Sequence, residues 1–195
     1  MENTAKTKTK EINLPTTITH GILGLMAART SCRRTMPAKF WLLSIICPIL
    51  PDADILGLYL GIPYGHFFGH RGFSHSLFFA LLVSLFVVCL FFRDERFFSR
   101  RWWKYVFYFF IITASHCILD MFTNGGLGIA VLSPFDTSRY FAPWRPIKVS
   151  PIGGVAVLFT AMGIRALLTE IFWLWLPGSL LMCLILWVRK MHDSL

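Results

Sequence analysis

SLFFALLVSLFVVCLFF, residues 76–92, contains no charged side chain. At about 1.5 Å per residue, a helix of this length spans roughly 26 Å, close to the hydrocarbon thickness of a thin bilayer. Further apolar stretches cover residues 16–28, 40–50, 105–122 and 152–188. The pattern predicts an all-α, polytopic membrane helix bundle with about four to six membrane segments.

The composition supports a membrane location. Hydrophobic residues make up 55% of the 195 residues and charged residues only 15%, whereas soluble domains carry about 25% charged residues. The five cysteines are an odd number and include no C-x-x-C pair, so no disulfide framework is indicated. A soluble globular enzyme, a disordered tail and a disulfide scaffold are therefore excluded. Residues 1–14 are predicted to be a polar tail and residues 15–195 a single integral membrane domain.

The net charge of +9 arises from short basic blocks between the apolar stretches. Such blocks favour the cytoplasmic side and anionic lipid headgroups, so we expect membrane lipids rather than nucleic acid as partners. The loops 29–39 and 93–104 carry four and five Lys+Arg. Both are predicted to be cytoplasmic. The sequence does not indicate an oligomeric state.

Several ionisable side chains interrupt or border the apolar stretches, where such groups are rare and usually functional. Seven of them are considered together as the polar centre: His20, Asp52, Asp54, His70, His75, His116 and Asp120. His116 and Asp120 are four residues apart, on one helix face, and suit either a metal or a buried hydrogen bond. For the others, the structural alternatives are a core histidine at His20, a helix cap at Asp52, and loop polarity with a Ser74 cap around His70 and His75.

The order of the segments predicts that these groups meet. If 76–92 and 105–122 are antiparallel neighbours, His75 and the pair His116–Asp120 lie on the same membrane side, and the other polar groups can reach that level. Three carboxylates are balanced by two divalent cations and one hydroxide, and unbalanced buried charge is costly. Seven ligands also exceed the needs of one tetrahedral zinc. The sequence therefore predicts two divalent ions, most simply zinc, near the membrane face opposite the basic loops.

A known family shows the same motifs. His20, L-P-D-A-D (50–54), H-R-G-F-S-H-S (70–76), H-x-x-x-D (116–120) and S-P-F-D…R-Y-F-A-P-W-R-P-I (133–147) resemble the YdjM-type family of inner-membrane, metal-dependent hydrolases. The resemblance runs from His20 to about residue 177. It implies a multi-pass protein of the bacterial inner membrane with the seven residues as metal ligands and catalytic groups. A distant similarity to zinc-dependent phospholipase C and P1-type nucleases implies a phosphoester substrate.

The favoured function is therefore a membrane-embedded hydrolase that uses a metal-activated water on a phosphoester or lipid-linked substrate. Arg71, Arg139, Arg145 and Lys148 are candidates for holding an anionic substrate, or else they snorkel to the interface. Two alternatives remain: an ion- or metal-handling transporter, and a regulatory membrane protein with a structural metal. The sequence shows no internal repeat of the kind many transporters have.

Overall fold

A computed structural model describes residues 13–14, 17–32, 35–151 and 155–194. The described chain is helical, as predicted, with one antiparallel pair of two-residue strands, Asn13–Leu14 and Ser150–Pro151, and isolated bridges at Thr123–Ile147 and Ile129–Tyr140. The α-helices are α1 (Thr17–Ser31), α2 (Ala38–Ile46), α3 (Ile55–Tyr59), α4 (Leu77–Phe91), α5 (Arg100–Met121), α6 (Ala161–Glu170) and α7 (Leu176–Asp193). Short 3-10 helices cover Leu50–Asp54, Phe73–His75 and Val155–Phe159, and a π-helical turn covers Ile171–Trp175.

Helices α4 and α5 form the central hairpin, and a serine is the N-cap residue of each helix. Ser76 Oγ accepts a hydrogen bond from Phe79 N at 3.0 Å, and Ser99 Oγ accepts one from Trp102 N at 3.2 Å. Such caps satisfy amide groups that the first helical turn leaves without partners. The cap of α4 is therefore Ser76, and the predicted capping role of Ser74 is wrong.

Aromatic packing holds α2 against this hairpin. Phe92 stacks on Tyr105 with ring centroids 4.5 Å apart, and Phe40 of α2 stacks on Tyr108 at 4.9 Å. Ser44 Oγ lies 2.8 Å from the Tyr108 hydroxyl. The resulting buried cluster fixes the end of α2, and through it the 3-10 helix Leu50–Asp54 that follows.

Helix α1 packs closely on α2 and also contacts the C-terminal helix. A Cβ atom at Gly24 would collide with the Ser44 carbonyl oxygen, so a larger residue there would push the helices apart. Thr19 of α1 donates to Glu170 Oε2 at 2.5 Å and accepts from Trp175 Nε1 at 2.9 Å. The buried Glu170 thus takes part in fixing α1 on the C-terminal helical region.

The predicted number of membrane segments is not supported by helix length and composition. Within the described ranges, the helical run Ala161–Asp193, 33 residues long, is the one that meets both criteria. The helix pair Ala38–Ile46 and Leu50–Tyr59, bent by 55°, would make a second if it forms one span. Helix α4 has 15 residues, which is short for a membrane crossing. Helix α5 begins with Arg100 and Arg101 and contains Asp120 near its end, so its composition is unfavourable.

Most of the C-terminal apolar stretch forms a continuous helical run, Ala161–Asp193. The helix continues through the π-helical turn instead of ending there. Pro177 lies at the beginning of α7, where a missing N–H group is tolerated. The run is therefore one long helix.

Candidate metal centre

Four segments bring the seven predicted residues together. His20 lies on α1, Asp52 and Asp54 on the 3-10 helix after α2, and His116 and Asp120 on the last turns of α5. His70 and His75 lie on the segment that leads into α4. All except Asp54 are buried, and Asp54 is nearly so. The fold therefore places all seven residues in one region.

Four of these side chains point donor atoms at one another: Asp52, His75, His116 and Asp120. Asp52 Oδ1 lies 3.6 Å from His75 Nε2 and 3.5 Å from His116 Nε2. Asp120 Oδ2 lies 3.8 Å and 3.9 Å from the same two nitrogens. Ligands bound tetrahedrally at the usual zinc distances are about 3.4 Å apart. The spacing of the four donors therefore fits a single divalent ion.

Hydrogen bonds assign the protons on the two imidazoles that face each other. His116 Nδ1 lies 2.8 Å from the carbonyl oxygen of Pro48, which can only accept, so Nδ1 carries the proton. His75 Nδ1 lies 3.0 Å from Asp54 Oδ2 and donates to that carboxylate. In their neutral forms both rings then have a lone pair on Nε2. These two Nε2 atoms are 3.0 Å apart, a distance that requires a cation or a proton between them.

Several buried polar atoms of this region make no hydrogen bond. They are Asp52 Oδ1, both carboxylate oxygens of Asp120, both ring nitrogens of His20, His70 Nε2 and Arg71 Nε. Groups of this kind are costly to bury unless something compensates them. The other oxygen of Asp52 accepts from Thr17 Oγ1 at 2.9 Å, which directs Oδ1 at the imidazoles. The residues present therefore fit a bound cation.

His20 lies beside the four donors rather than among them. Its ring packs on that of His116 with centroids 3.9 Å apart, and its Nε2 lies 3.3 Å from Asp120 Oδ1. His20 can therefore contact the second oxygen of Asp120 or supply one more nitrogen. Its environment is that of a polar centre and not of an apolar core.

Asp54 differs from the other two carboxylates because hydrogen bonds occupy both of its oxygens. Oδ1 accepts from His70 Nδ1 at 2.6 Å, and Oδ2 accepts from Ser74 Oγ and from Arg71 N, the latter at 3.2 Å. Asp54, His70 and His75 also form a second group with the spacing of metal ligands. His75 belongs to both groups, and a neutral imidazole has one lone pair to offer. Asp54 is therefore placed to orient His75, in the way that carboxylates commonly orient metal-binding histidines.

Arg71 is part of the centre and not of its surface. The side chain is fully buried. Its Nη2 lies 3.3 Å from Asp120 Oδ2 and donates to Thr123 Oγ1 at 3.0 Å, and its Nη1 donates to the Gly125 carbonyl at 2.6 Å. Its φ of +64° is a left-handed conformation that costs about 1–3 kcal/mol and persists only where the surroundings enforce it. Arg71 thus supplies a fixed positive charge beside Asp120.

Electrostatics at His75 agree with a cation between the imidazoles. Burial disfavours the charged ring, but the adjacent carboxylates of Asp52, Asp54 and Asp120 outweigh it and raise the pKa of His75 to about 9. A proton on Nε2 can then be donated to His116 Nε2 in the absence of a metal. Metal and proton compete for the same lone pair.

The remaining cations predicted to bind substrate lie outside the centre. The guanidinium of Arg139 donates to the backbone carbonyls of His70 and Tyr64, each at 3.1 Å, and so braces the loop. Arg145 lies over the Phe141 ring at 4.6 Å. Lys148 is exposed and lines a separate cavity. Thr17 and Ser74, which contact the carboxylates of Asp52 and Asp54, were not predicted as part of the centre. Their signals in the sequence are the position of Thr17 one turn before His20 and that of Ser74 inside H-R-G-F-S-H-S.

Fold and site together define a helical membrane protein with a buried His/Asp cluster that is compatible with metal binding. The sequence profile of the YdjM inner membrane protein family matches residues 16–192, and the chain belongs to that family. It is 37% identical over 182 residues to the inner membrane protein YbcI of Escherichia coli (strain K12), an alignment that covers 91% of this chain and 100% of that protein. No solved structure is significantly similar to the chain.

Proposed function

We propose that this protein is a membrane-embedded, metal-dependent hydrolase that acts on a phosphoester or lipid-linked substrate. The observation that carries the proposal is the convergence of four oxygen and nitrogen donors beside a buried arginine, with both carboxylate donors, Asp52 Oδ1 and Asp120 Oδ2, making no hydrogen bond. Imidazole and carboxylate are common ligands of catalytic zinc sites, and such sites also have a position for water. With four protein donors, that position would be a fifth ligand, which zinc can accept during the reaction. A divalent ion in such a site supplies activation of water and polarisation of the scissile group.

Each residue of the centre has a part in this proposal. Asp52, His75, His116 and Asp120 hold the ion, and His20 contacts Asp120 or adds a ligand. Asp54 fixes the proton of His75 on Nδ1, and His70 and Ser74 fix Asp54. Arg71 holds Asp120 and provides a positive charge near the place where a phosphoester would carry negative charge.

The charges of the centre support one ion in place of the two expected from the sequence. Asp52, Asp54 and Asp120 contribute three negative charges. Arg71 contributes one positive charge and a divalent ion two, so the sum is zero. The earlier balance needed two ions because it placed Arg71 outside, at the substrate. The shared use of His75 by both candidate groups supports the same number.

A multi-pass arrangement in the inner membrane is part of the proposal. Apolar side chains face outward along the central hairpin, with Phe86 of α4 65% and Phe107 of α5 66% exposed. A soluble protein rarely leaves so much contiguous apolar surface uncovered. We infer that lipid covers the hairpin although neither helix meets the criteria for a simple span.

Hydrolysis by the purified full-length protein tests the proposal. The probes are p-nitrophenyl phosphate, bis(p-nitrophenyl) phosphate and vesicles of phosphatidylglycerol, with the metal-loaded protein and with the protein stripped by chelator. We expect turnover of at least one probe, its loss on chelation and its return with zinc. Asp120→Asn should remain inactive after zinc is added. A metal-loaded protein that hydrolyses none of these, with a metal that only raises thermal stability, would support a structural metal.

A further inference from the structure

A second polar site lies on the other side of Arg71. A cavity of about 590 Å³ opens between the loop that follows α5 and one side of helix α6. Its polar lining includes Lys148, Arg165, Asn124 and Thr169, and its apolar lining includes Met162 and Leu168. No aspartate or glutamate is among its lining residues. The cavity therefore combines two cations with hydrogen-bonding groups and an apolar side.

Hydrogen bonds fix the frame of this cavity. Lys148 N donates to Thr169 Oγ1 at 3.0 Å, and Val149 N donates to Asn124 Oδ1 at 3.2 Å. Because its oxygen is used in this way, the Asn124 amide presents its nitrogen, which can only donate. Met162, Arg165 and Thr169 follow one another at helical spacing along one side of α6. Backbone N–H groups of the loop therefore hold the side chains of Thr169 and Asn124 in place.

The cavity lies at the beginning of the helical run Ala161–Asp193, the described helix best suited to cross a membrane. Neither Lys148 nor Arg165 has a carboxylate partner among the described residues. Paired cations beside an apolar wall at the start of a membrane helix match the headgroup and first chain methylenes of an anionic lipid. Gly125 lines the cavity and accepts the hydrogen bond from Arg71, so one arginine separates the cavity from Asp120.

We propose that this cavity binds the phosphate headgroup of an anionic phospholipid, with Lys148 and Arg165 as the charged contacts and Met162 and Leu168 against the chain. The inference goes beyond the proposed function, since it concerns binding and is measured without turnover. The cations lie on separate elements, so the site forms only when the loop and α6 are packed together. An inorganic phosphate ion shares the chemistry of the headgroup and is the second arm of the test.

The experiment measures lipid selectivity of the full-length protein in phosphatidylcholine bilayers that contain a trace of spin-labelled phosphatidylglycerol. We expect the wild type to immobilise this label in preference to spin-labelled phosphatidylcholine. Lys148→Gln and Arg165→Gln should each lower the preference by about fivefold, the effect typical of one cation at a membrane surface. The matched control is Arg145→Gln, which removes an exposed cation of the same loop that does not line the cavity.

Each outcome is decisive. Loss in the cavity variants with no loss in the control supports the headgroup site. Displacement of the label by inorganic phosphate at millimolar concentration assigns the cavity to the phosphate anion itself. No preference in the wild type, or an equal loss in the control, overturns the proposal. Full selectivity in a protein that neither binds metal nor hydrolyses the probes would contradict the proposed hydrolase and leave the headgroup site standing, because the cavity does not use the metal ligands.

Discussion

His75 Nε2 and His116 Nε2 lie 3.0 Å apart in the interior, and each ring directs its Nδ1 at a fixed acceptor, Asp54 or the Pro48 carbonyl. Two neutral imidazoles held in this way would bring lone pairs into contact. A proton or a metal ion must therefore lie between them. Asp52 and Asp120 surround the same point, which makes the metal ion the better match.

Asp120 and Asp54 should contribute differently to metal binding, because only Asp54 has hydrogen bonds to both carboxylate oxygens. Asp120→Asn removes a ligand whose oxygens have no hydrogen-bond partner, so stoichiometric binding should be lost. Asp54→Asn leaves the four donors in place and weakens only the orientation of His75, so affinity should fall by about 10–100-fold with unchanged stoichiometry. Competition with a zinc-specific chromophoric chelator measures both. Equal loss in the two variants would show that Asp54 is itself a ligand.

The histidines offer an internal control for the site. His75→Ala should abolish metal binding, whereas His66→Ala and His192→Ala should leave the metal content unchanged. The latter two histidines are exposed, and the His66 ring only accepts a local hydrogen bond from Phe68 N. Elemental analysis of the three variants gives the comparison. The assignment of the centre is wrong if His66→Ala loses metal as completely as His75→Ala.

Removal of Arg71 should destabilise the fold through Asp120. Arg71→Met leaves Asp120 as a buried charge without its cation, which typically costs about 3–5 kcal/mol. The same change in an Asp120→Asn background should cost less, with a coupling of about 1–3 kcal/mol. Unfolding of the metal-stripped proteins in mixed detergent micelles measures the cycle. Additive effects would mean that Arg71 acts only through Thr123 and Gly125.

The spacing of residues within the motifs predicts some contacts of the centre and not others. The motif L-P-D-A-D and the pair His116–Asp120 predict that carboxylates and imidazoles meet, since each segment carries its own local pattern. The motif does not reveal that Asp54 is saturated by hydrogen bonds while Asp52 is not, because the donors come from residues 70–74. Arg71 was grouped with surface cations because charge alone does not disclose burial.

The membrane architecture was less predictable for a related reason. Hydropathy finds residues 76–92, but helix ends depend on caps: Ser76 and the break after Phe91 limit α4 to 15 residues. In the same way, Pro177 suggests a break, yet its position in the first turn of α7 lets the preceding π-helical turn continue into that helix. The ends of these helices depend on individual residues such as Ser76 and Pro177, so the apolar content of the segments does not predict them.

The basic loops predict the orientation in the membrane. With 93–104 in the cytoplasm, the loop 123–151 and the metal centre open toward the outer face. Single cysteines at Asp94 and Ser138, both exposed, are placed in a background without the five native cysteines. Asp94 is suitable because the Lys and Arg residues of the loop, which set topology, stay unchanged. A membrane-impermeant thiol reagent on intact cells should label position 138 and not 94; the reverse pattern would place the centre on the cytoplasmic side.

Elemental analysis of the detergent-purified, full-length protein measures whether the chain holds a metal ion and how many. After equilibration with zinc and removal of unbound ions, we expect one zinc per chain in the wild type, held by Asp52, His75, His116 and Asp120, and none in Asp120→Asn. Two ions per chain would agree with the charge balance expected from the sequence, in which Arg71 does not neutralise any of the three carboxylates. A chain with no metal above background, in a preparation that is folded and monodisperse, would contradict the metal centre altogether.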